Sequence, residues 1–382
     1  MTAAFAGAAP PANVEWCLIR ASAWTPDAAG FAEALRCVTD QAKIAAIRRY
    51  HKGAPSPAAF AAWAHPDTKC FVVARLMLQL EALKFLAPSV PSLASHPRSL
   101  TLAPTREGRP CVGLRYGRRL GAYNANVSHA GDAVAFAATA AGGVVGCDVM
   151  PVELVPPGPF EEASLRRFFR DFRDYFTPGE WAWIQSPRSV PADADTTGPS
   201  SLAAAGISPP PLTGTTPGPY WQLKRFFVLW TLKEAYIKAI GTGLGHDLLS
   251  LDFRLSRADV WSPDFFAGGS DGRGGAEVAV AVAGVTRPDW RFAVAERRDW
   301  GGAVAAVAAG PRVAAGGSSF GATLPDADGR GGSDDDNTVA RGDPAAAAIP
   351  ETTPCLPAGP TDVDAATIVA EAMAVFCPPP PE

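Results

Sequence analysis

Several common signatures are missing from this chain of 382 residues. Its seven cysteines, Cys17, Cys37, Cys70, Cys111, Cys147, Cys355 and Cys377, show no CxxC spacing. Neither a zinc site nor a disulfide framework is indicated, and a reducing compartment is expected. No apolar run approaches membrane-spanning length, so no membrane association is expected. No basic residue precedes Arg20 and no sustained apolar core marks the N-terminal segment, which argues against a secretory signal or an arginine-rich transit peptide. A strong excess of one charge is lacking too: the formal net charge is −4, far too weak to suggest nucleic acid as a partner. A cytoplasmic protein is the resulting expectation.

What is present is apolar and irregular at once. Hydrophobic residues make up 47% of the chain, ample for a large core, while 37 prolines and 37 glycines call for long irregular segments. The charge is unevenly spread. Residues 311–382 hold eleven acids against three arginines, a net −8, which leaves a body of +4 suited to an anionic ligand or an acidic partner. Residues 1–13 read as a flexible start, 14–20 as a first strand, 30–50 as helical, 53–66 as a Pro/Ala-rich insertion and 67–86 as a long helix. Strands are expected near 100–103, 123–128, 134–139 and 144–149, with Gly142-Gly143 as a hairpin signal. Helical patterns return at 165–176 and 178–185, with Thr177 as N-cap before Pro178. Residues 186–219 lack periodicity and read as a disordered insertion; a helix at 220–240 follows, then strands near 253–255, 277–285, 290–296 and 303–309. Beyond Gly310 the composition is Gly, Ala, Pro and Asp, so a low-complexity, disordered tail is expected over 310–382. The implied division is an N-terminal half at 14–150 and a C-terminal half at 151–309.

Charge sits oddly in residues 230–245, WTLKEAYIKAIGTGLG. At helical spacing Trp230, Glu234, Ile237 and Lys238 share one face, which sets a carboxylate and an ammonium beside a large aromatic. Taken alone this is an ion pair worth about 0.3 kcal/mol. Asp148 is the second oddity. It ends the apolar strand 144–149, where a carboxylate is costly unless a cation meets it. Two carboxylates from distant elements make an all-oxygen site of the kind magnesium takes, completed by waters and substrate phosphates. Gly241, Gly243 and Gly245 follow a helix instead of separating a strand from a helix, so they read as its C-terminus and not as a dinucleotide loop.

Residues 124–132 (NANVSHAGD), 146–150 (GCDVM) and 230–245, in that order, resemble the 4'-phosphopantetheinyl transferases. The similarity is to the large monomeric subclass that serves carrier domains of fatty-acid, polyketide, peptide and aminoadipate enzymes, the last in lysine biosynthesis. It runs from residue 14 to residue 309 with two insertions. The resemblance implies an α+β fold of two similar α/β halves in pseudo-twofold arrangement, with the active site in the cleft between them, and a monomer. The implied reaction moves phosphopantetheine from coenzyme A to a serine of an apo acyl or peptidyl carrier domain, whose acidic surface flanks that serine, and releases 3',5'-ADP.

The resemblance further implies the roles: Asp148 and Glu234 would hold Mg2+, and Glu234 would take the serine proton directly or through water. Lys238 stabilises charge toward the leaving nucleotide, and Lys233 adds to the same field. His129 donates to a coenzyme A phosphate; Asn126, Ser128, Lys52, Arg75, Arg106 and Arg109 complete the expected coenzyme A contacts. Two departures stand out. Met150 occupies the place of a third acid found in some members, leaving a coordination position to water, and Pro104 occupies the usual basic start of the nucleotide-wrapping turn. The alternative is a catalytically idle module that binds coenzyme A or a carrier on the same fold, which the intact Asp148, Glu234 and Lys238 oppose. Removing residues beyond Gly310 is expected to leave activity unchanged.

Overall fold

The computed structural model describes residues 14–40, 65–88, 91–100, 102–104, 110–112, 123–140, 143–153, 162–186, 219–257, 276–300, 302–311 and 360–377, together with positions 44, 45, 47, 260, 266 and 356. The first part of the chain forms β1 (Val14–Arg20), α1 (Ala28–Cys37), α2 (Pro66–Leu86), the short pair β2 (Leu102–Pro104) and β3 (Pro110–Val112), and then β4 (Asn124–Ala130), β5 (Ala133–Thr139) and β6 (Val144–Met150). Helices α3 (Glu162–Asp171), α4 (Pro178–Gln185) and α5 (Pro219–Ile240) follow. Strands β7 (Leu251–Leu255), β8 (Val278–Val282), β9 (Val285–Thr286), β10 (Arg291–Arg297) and β11 (Ala303–Gly310) come next, and β12 (Thr361–Asp364) and α6 (Ala365–Phe376) come last. The mixture of helices and sheets is the α+β class that the sequence leads one to expect.

Two sheets carry the architecture. One has the order β12-β1-β5-β4, the other β10-β11-β6. Strands β5 (AVAFAAT) and β11 (AVAAVAAG) are buried along their whole length, which requires small or branched apolar side chains on both faces. Alternate residues of β1, β5, β6 and β11 therefore divide between two cores. Trp16, Ala135, Ala137, Cys147, Ala305 and Val307 pack sheet against sheet, and the preponderance of alanine lets the sheets lie close. The outer faces are covered by helices: α1, α2 and α6 on the first sheet, α5 with α3 and α4 on the second. Helix α2 is apolar on most sides because it is wedged among a sheet, α1 and α6. No helix among the described residues is long and apolar enough to cross a membrane.

Three expectations are corrected. The strands on either side of Gly142-Gly143 do not form a hairpin, since β5 pairs with β1 and β4 whereas β6 pairs with β11; Gly142 itself lies outside the described residues. The hairpin lies one step earlier: Ala130 faces Ala133 across Gly131-Asp132, and Gly131 takes a φ of +58°. Its Asp132 carboxylate accepts from Ser22 N at 2.6 Å and Arg20 Nε at 3.1 Å, tying the turn to the end of β1. Secondly, β6 belongs to the sheet of the second half, so the sheets divide between β5 and β6 and not after Met150. Thirdly, packed structure does not stop at Gly310. Strand β12 runs parallel to β1 from Cys17↔Thr361 to Arg20↔Asp364, and Ile368, Val369, Ala372 and Phe376 of α6 are buried against the first half. The Asp364 carboxylate caps α6 by accepting from Thr367 N at 2.9 Å, a bond that holds its pKa below the usual range. The expected insertions at 53–66 and 186–219 lie outside the described residues, apart from Asp-preceding positions 65–66, position 186 and position 219.

If α6 is an integral part of the first core, Phe376→Ala should lower unfolding free energy by about 3 kcal/mol, read from denaturant melts of the full chain. An unchanged midpoint would return the segment to the status of a passenger.

Candidate functional site

Helix α5 meets β6 at Gly146. A Cβ there would fall 2.1 Å from the Ala235 carbonyl oxygen and 2.4 Å from Ala239 N, so only glycine lets the two backbones approach this closely. Two residues on, the same face of β6 carries Asp148, and the face of α5 that reaches it carries Glu234 and Lys238. The Lys238 ammonium lies 2.6 Å from Asp148 Oδ1 and donates to Ser128 Oγ at 2.7 Å; Ser128 Oγ in turn donates to the same Asp148 oxygen at 2.8 Å. Residues from β4, β6 and α5 thus close a hydrogen-bonded triangle. Asp148 Oδ2 is different: it is buried and has no hydrogen-bond partner among the described residues.

Glu234 is 9% exposed, and its carboxylate takes no hydrogen bond from any described residue. Burial, and then the neighbouring Asp148 charge, push its pKa up to about 7 against the pull of Lys238. Burial would lower the Lys238 ammonium, but Asp148, by charge and hydrogen bond, and Glu234 outweigh it and hold the group above its ordinary value. Two carboxylates against one ammonium leave a local deficit of positive charge, with one carboxylate oxygen buried and bare. A hard divalent cation fits that deficit. No cluster of three or more His, Cys, Asp or Glu side chains stands ready for a metal among the described residues, so a cation here would draw its remaining ligands from water and a bound phosphate.

The model of the 4'-phosphopantetheinyl transferase superfamily matches residues 144–283, a stretch that includes Asp148, Glu234 and Lys238. A phosphopantetheinyl transferase of Thraustochytrium sp. (strain ATCC 26185 / S-3) is 31% identical over 246 residues, 64% of this chain and 67% of that protein. The chain belongs to the 4'-phosphopantetheinyl transferase superfamily. Two further relatives are named L-aminoadipate-semialdehyde dehydrogenase-phosphopantetheinyl transferase. The one from Homo sapiens is 30% identical over 50% of this chain and 48% of its own length. The one from Xenopus laevis is 31% identical over 41% and 40%. The chain spans about half the length of the human relative that it matches.

Within this phosphopantetheinyl transferase family member, the expected residues separate into groups. Asp148, Glu234, Lys238 and Ser128 come together. His129 is exposed on the neighbouring strand position; its surroundings lower its pKa by desolvation, Asp67 opposes, and the charges of Lys238 and Arg75 lower it further, so these two cations lie within electrostatic reach of the imidazole. Arg75 itself is held by Asp40 at 3.8 Å and stacks over Phe71. Lys52, Arg106 and Arg109 lie outside the described residues.

Two expected coenzyme A contacts, Asn126 and Lys233, are engaged within the protein. Asn126 is buried, and its Oδ1 accepts from Cys147 N at 3.1 Å, while Asn124 Oδ1 accepts from Val145 N at 2.9 Å. These amides satisfy the outward N–H groups of edge strand β6 and strap it to edge strand β4. Lys233 is fully buried at 2.8 Å from Glu180, and it donates to the Leu248 and Leu251 carbonyls at 2.8 and 2.7 Å. Glu180 also accepts from Thr177 N and Phe253 N. Burial pushes Glu180 up and Lys233 down against their mutual attraction, so the pair depends on these extra bonds. Sequence reasoning does not single out Glu180, and it places Gly146 only within 146–150; nothing in their spacing reveals the contacts they make.

Lys233→Met leaves Glu180 buried without its cation and should destabilise the fold by roughly 3 kcal/mol, with coenzyme A affinity of the folded protein retained, as titration calorimetry at low temperature would show. A selective loss of affinity without loss of stability would restore Lys233 to the ligand. Glu234 behaves in the opposite sense. Its folded pKa lies above its unfolded value near 4.5, so the metal-free fold carries no penalty below about pH 4.5 and a full one, on the order of 3 kcal/mol, above pH 7. Glu234→Gln should therefore melt higher than the parent at pH 8 and equal to it near pH 4.5; a gap that ignores pH removes the carboxylate from this environment.

Proposed function

We propose that the protein transfers 4'-phosphopantetheine from coenzyme A to a serine of apo carrier domains, in a reaction that depends on Mg2+. The observation that carries the reading is the bare, buried Asp148 Oδ2 beside Glu234 and Lys238. Asp148 and Glu234 would hold the metal, whose chemistry is to neutralise the pyrophosphate of coenzyme A. Lys238, fixed by Asp148 and Ser128 yet 29% exposed at its side chain, offers a cation to the phosphate that leaves with 3',5'-ADP. His129, in the field of Lys238 and Arg75, supplies a further donor on the same side. Glu234 is suited to receive the serine proton, directly or through water, because its carboxylate lies beside Asp148 and Lys238 and takes no hydrogen bond from any described residue. The serine oxygen bonds to the phosphorus attached to pantetheine, the pyrophosphate bond breaks, and the nucleotide departs. The names of the vertebrate relatives support carrier domains of the aminoadipate-semialdehyde dehydrogenase type as one acceptor class.

Incubation with an apo carrier domain, coenzyme A and magnesium should add one phosphopantetheine group to the carrier by mass spectrometry, and a chelator should stop the addition. Glu234→Gln should slow transfer by about 100-fold or more while retaining coenzyme A binding. No mass gain on any of several carriers, from a folded preparation, would favour an idle binding module; full activity in the variant would remove Glu234 from both of its roles.

A further inference from the structure

Cys37 and Cys377 are 340 positions apart, yet their sulfurs lie 2.7 Å from each other, outside the site described above. Cys37 is the last residue of α1 and is 1% exposed; Cys377 follows α6, is partly exposed, and its N–H donates to the Met373 carbonyl at 2.9 Å. Arg98 lies across the pair. Its Nη1 is 3.9 Å from Cys377 Sγ, and its Nη2 is anchored on the Arg36 carbonyl at 3.1 Å. Cys37 Sγ also donates to the Glu33 carbonyl at 3.4 Å, whereas the sulfurs of Cys17, Cys70 and Cys147 are turned to the oxygens of Glu15, Gly131 and Ala135.

We propose that Cys37 and Cys377 are an oxidisable pair whose disulfide latches the β12–α6 segment onto α1. The contact needs only a small closing movement to reach S–S bonding distance, about 2.05 Å. The segment's side-chain ties, Asp362 to Arg297 and Glu371 to Lys84, are half-exposed ion pairs of little strength, so its hold rests on the short β1–β12 ladder and the apolar face of α6, which a covalent latch would reinforce. Oxidised glutathione suffices as oxidant. The accessible Cys377 thiolate attacks its disulfide and expels one glutathione thiolate. Cys37 then gives up its proton, attacks the Cys377 sulfur and expels the second. Two thiols and one small disulfide become one protein disulfide and two small thiols, with two electrons passed on. Burial pushes the Cys37 thiol up, so it is the slower, second partner.

The test uses the full chain treated with oxidised glutathione, with remaining thiols alkylated before digestion. The expected result is a peptide joining Cys37 to Cys377, an intact mass lower by about 2 Da, and slower proteolytic removal of residues 361–377, all reversed by dithiothreitol. Cys377→Ser, at the partly exposed position, should fold normally by circular dichroism and lose all three effects; Cys37→Ala serves as the second control. Alkylation of both cysteines after oxidation overturns the proposal, as does pairing of Cys377 with another cysteine. A cross-link that leaves proteolysis unchanged overturns the latch.

Discussion

The contact between α5 and β6 at Gly146 sets the distance on which the rest of the site depends. Backbone meets backbone there, with room for nothing larger than hydrogen, and the helix cannot slide or rise without losing that fit. Because the strand alternates with period two, the next residue on the same face is Asp148; because the helix repeats every 3.6 residues, Glu234 and Lys238 reach it from one turn to the next. The cluster of one ammonium and two carboxylates is thus imposed by close packing, although like charges would keep Asp148 and Glu234 apart in water. Apolar burial across α5, β6 and β11 supplies the free energy that offsets this repulsion.

A second constraint comes from the other side of β6. Both β4 and β6 are edge strands, and no ladder joins them. The side chains of Asn124, Asn126 and Ser128, at alternate positions of β4, instead reach across to Val145 N, Cys147 N and the Asp148 carboxylate. The third rung of this series is itself a member of the site. Any displacement of one sheet along the other would therefore leave backbone donors of β6 unsatisfied before it moved the carboxylate, and each such donor costs about 1–3 kcal/mol. The seam is rigid for the same reason that it is polar.

Sequence reasoning reads some of this and not the rest, for identifiable reasons. The long helices at 66–86 and 219–240 and the buried strands at 144–150 and 303–310 are legible because apolar runs of those lengths have few other solutions. Thr177 and Pro178 announce their helix through local capping chemistry, which the structure completes with Glu180 as a full capping box. The turn at Gly131-Asp132 is hidden inside a motif that draws attention to His129, while the strands that flank the louder Gly142-Gly143 belong to different sheets. Residues 361–376 are masked by their neighbourhood: the periodicity of Ile368, Val369, Ala372 and Phe376 is present, but a compositional reading of the whole tail averages it away. Partners so far apart in sequence as β1 and β12 leave no local trace.

The adjacent residues Lys233 and Glu234 show the same limit at the site. A helix turns about 100° per residue, so neighbours in a charged pair cannot share an environment, however alike they look in a motif. Lys233 points into the packing between α5, α4 and β7, where Glu180 and two carbonyls consume all of its donors. Glu234 points to the seam, where no described group donates to it. One charge is satisfied by the fold and fixes the helix; the other is left unsatisfied by the fold and is free to meet a ligand. The distinction rests on burial with partners as against burial without them, and only the assembled structure contains it.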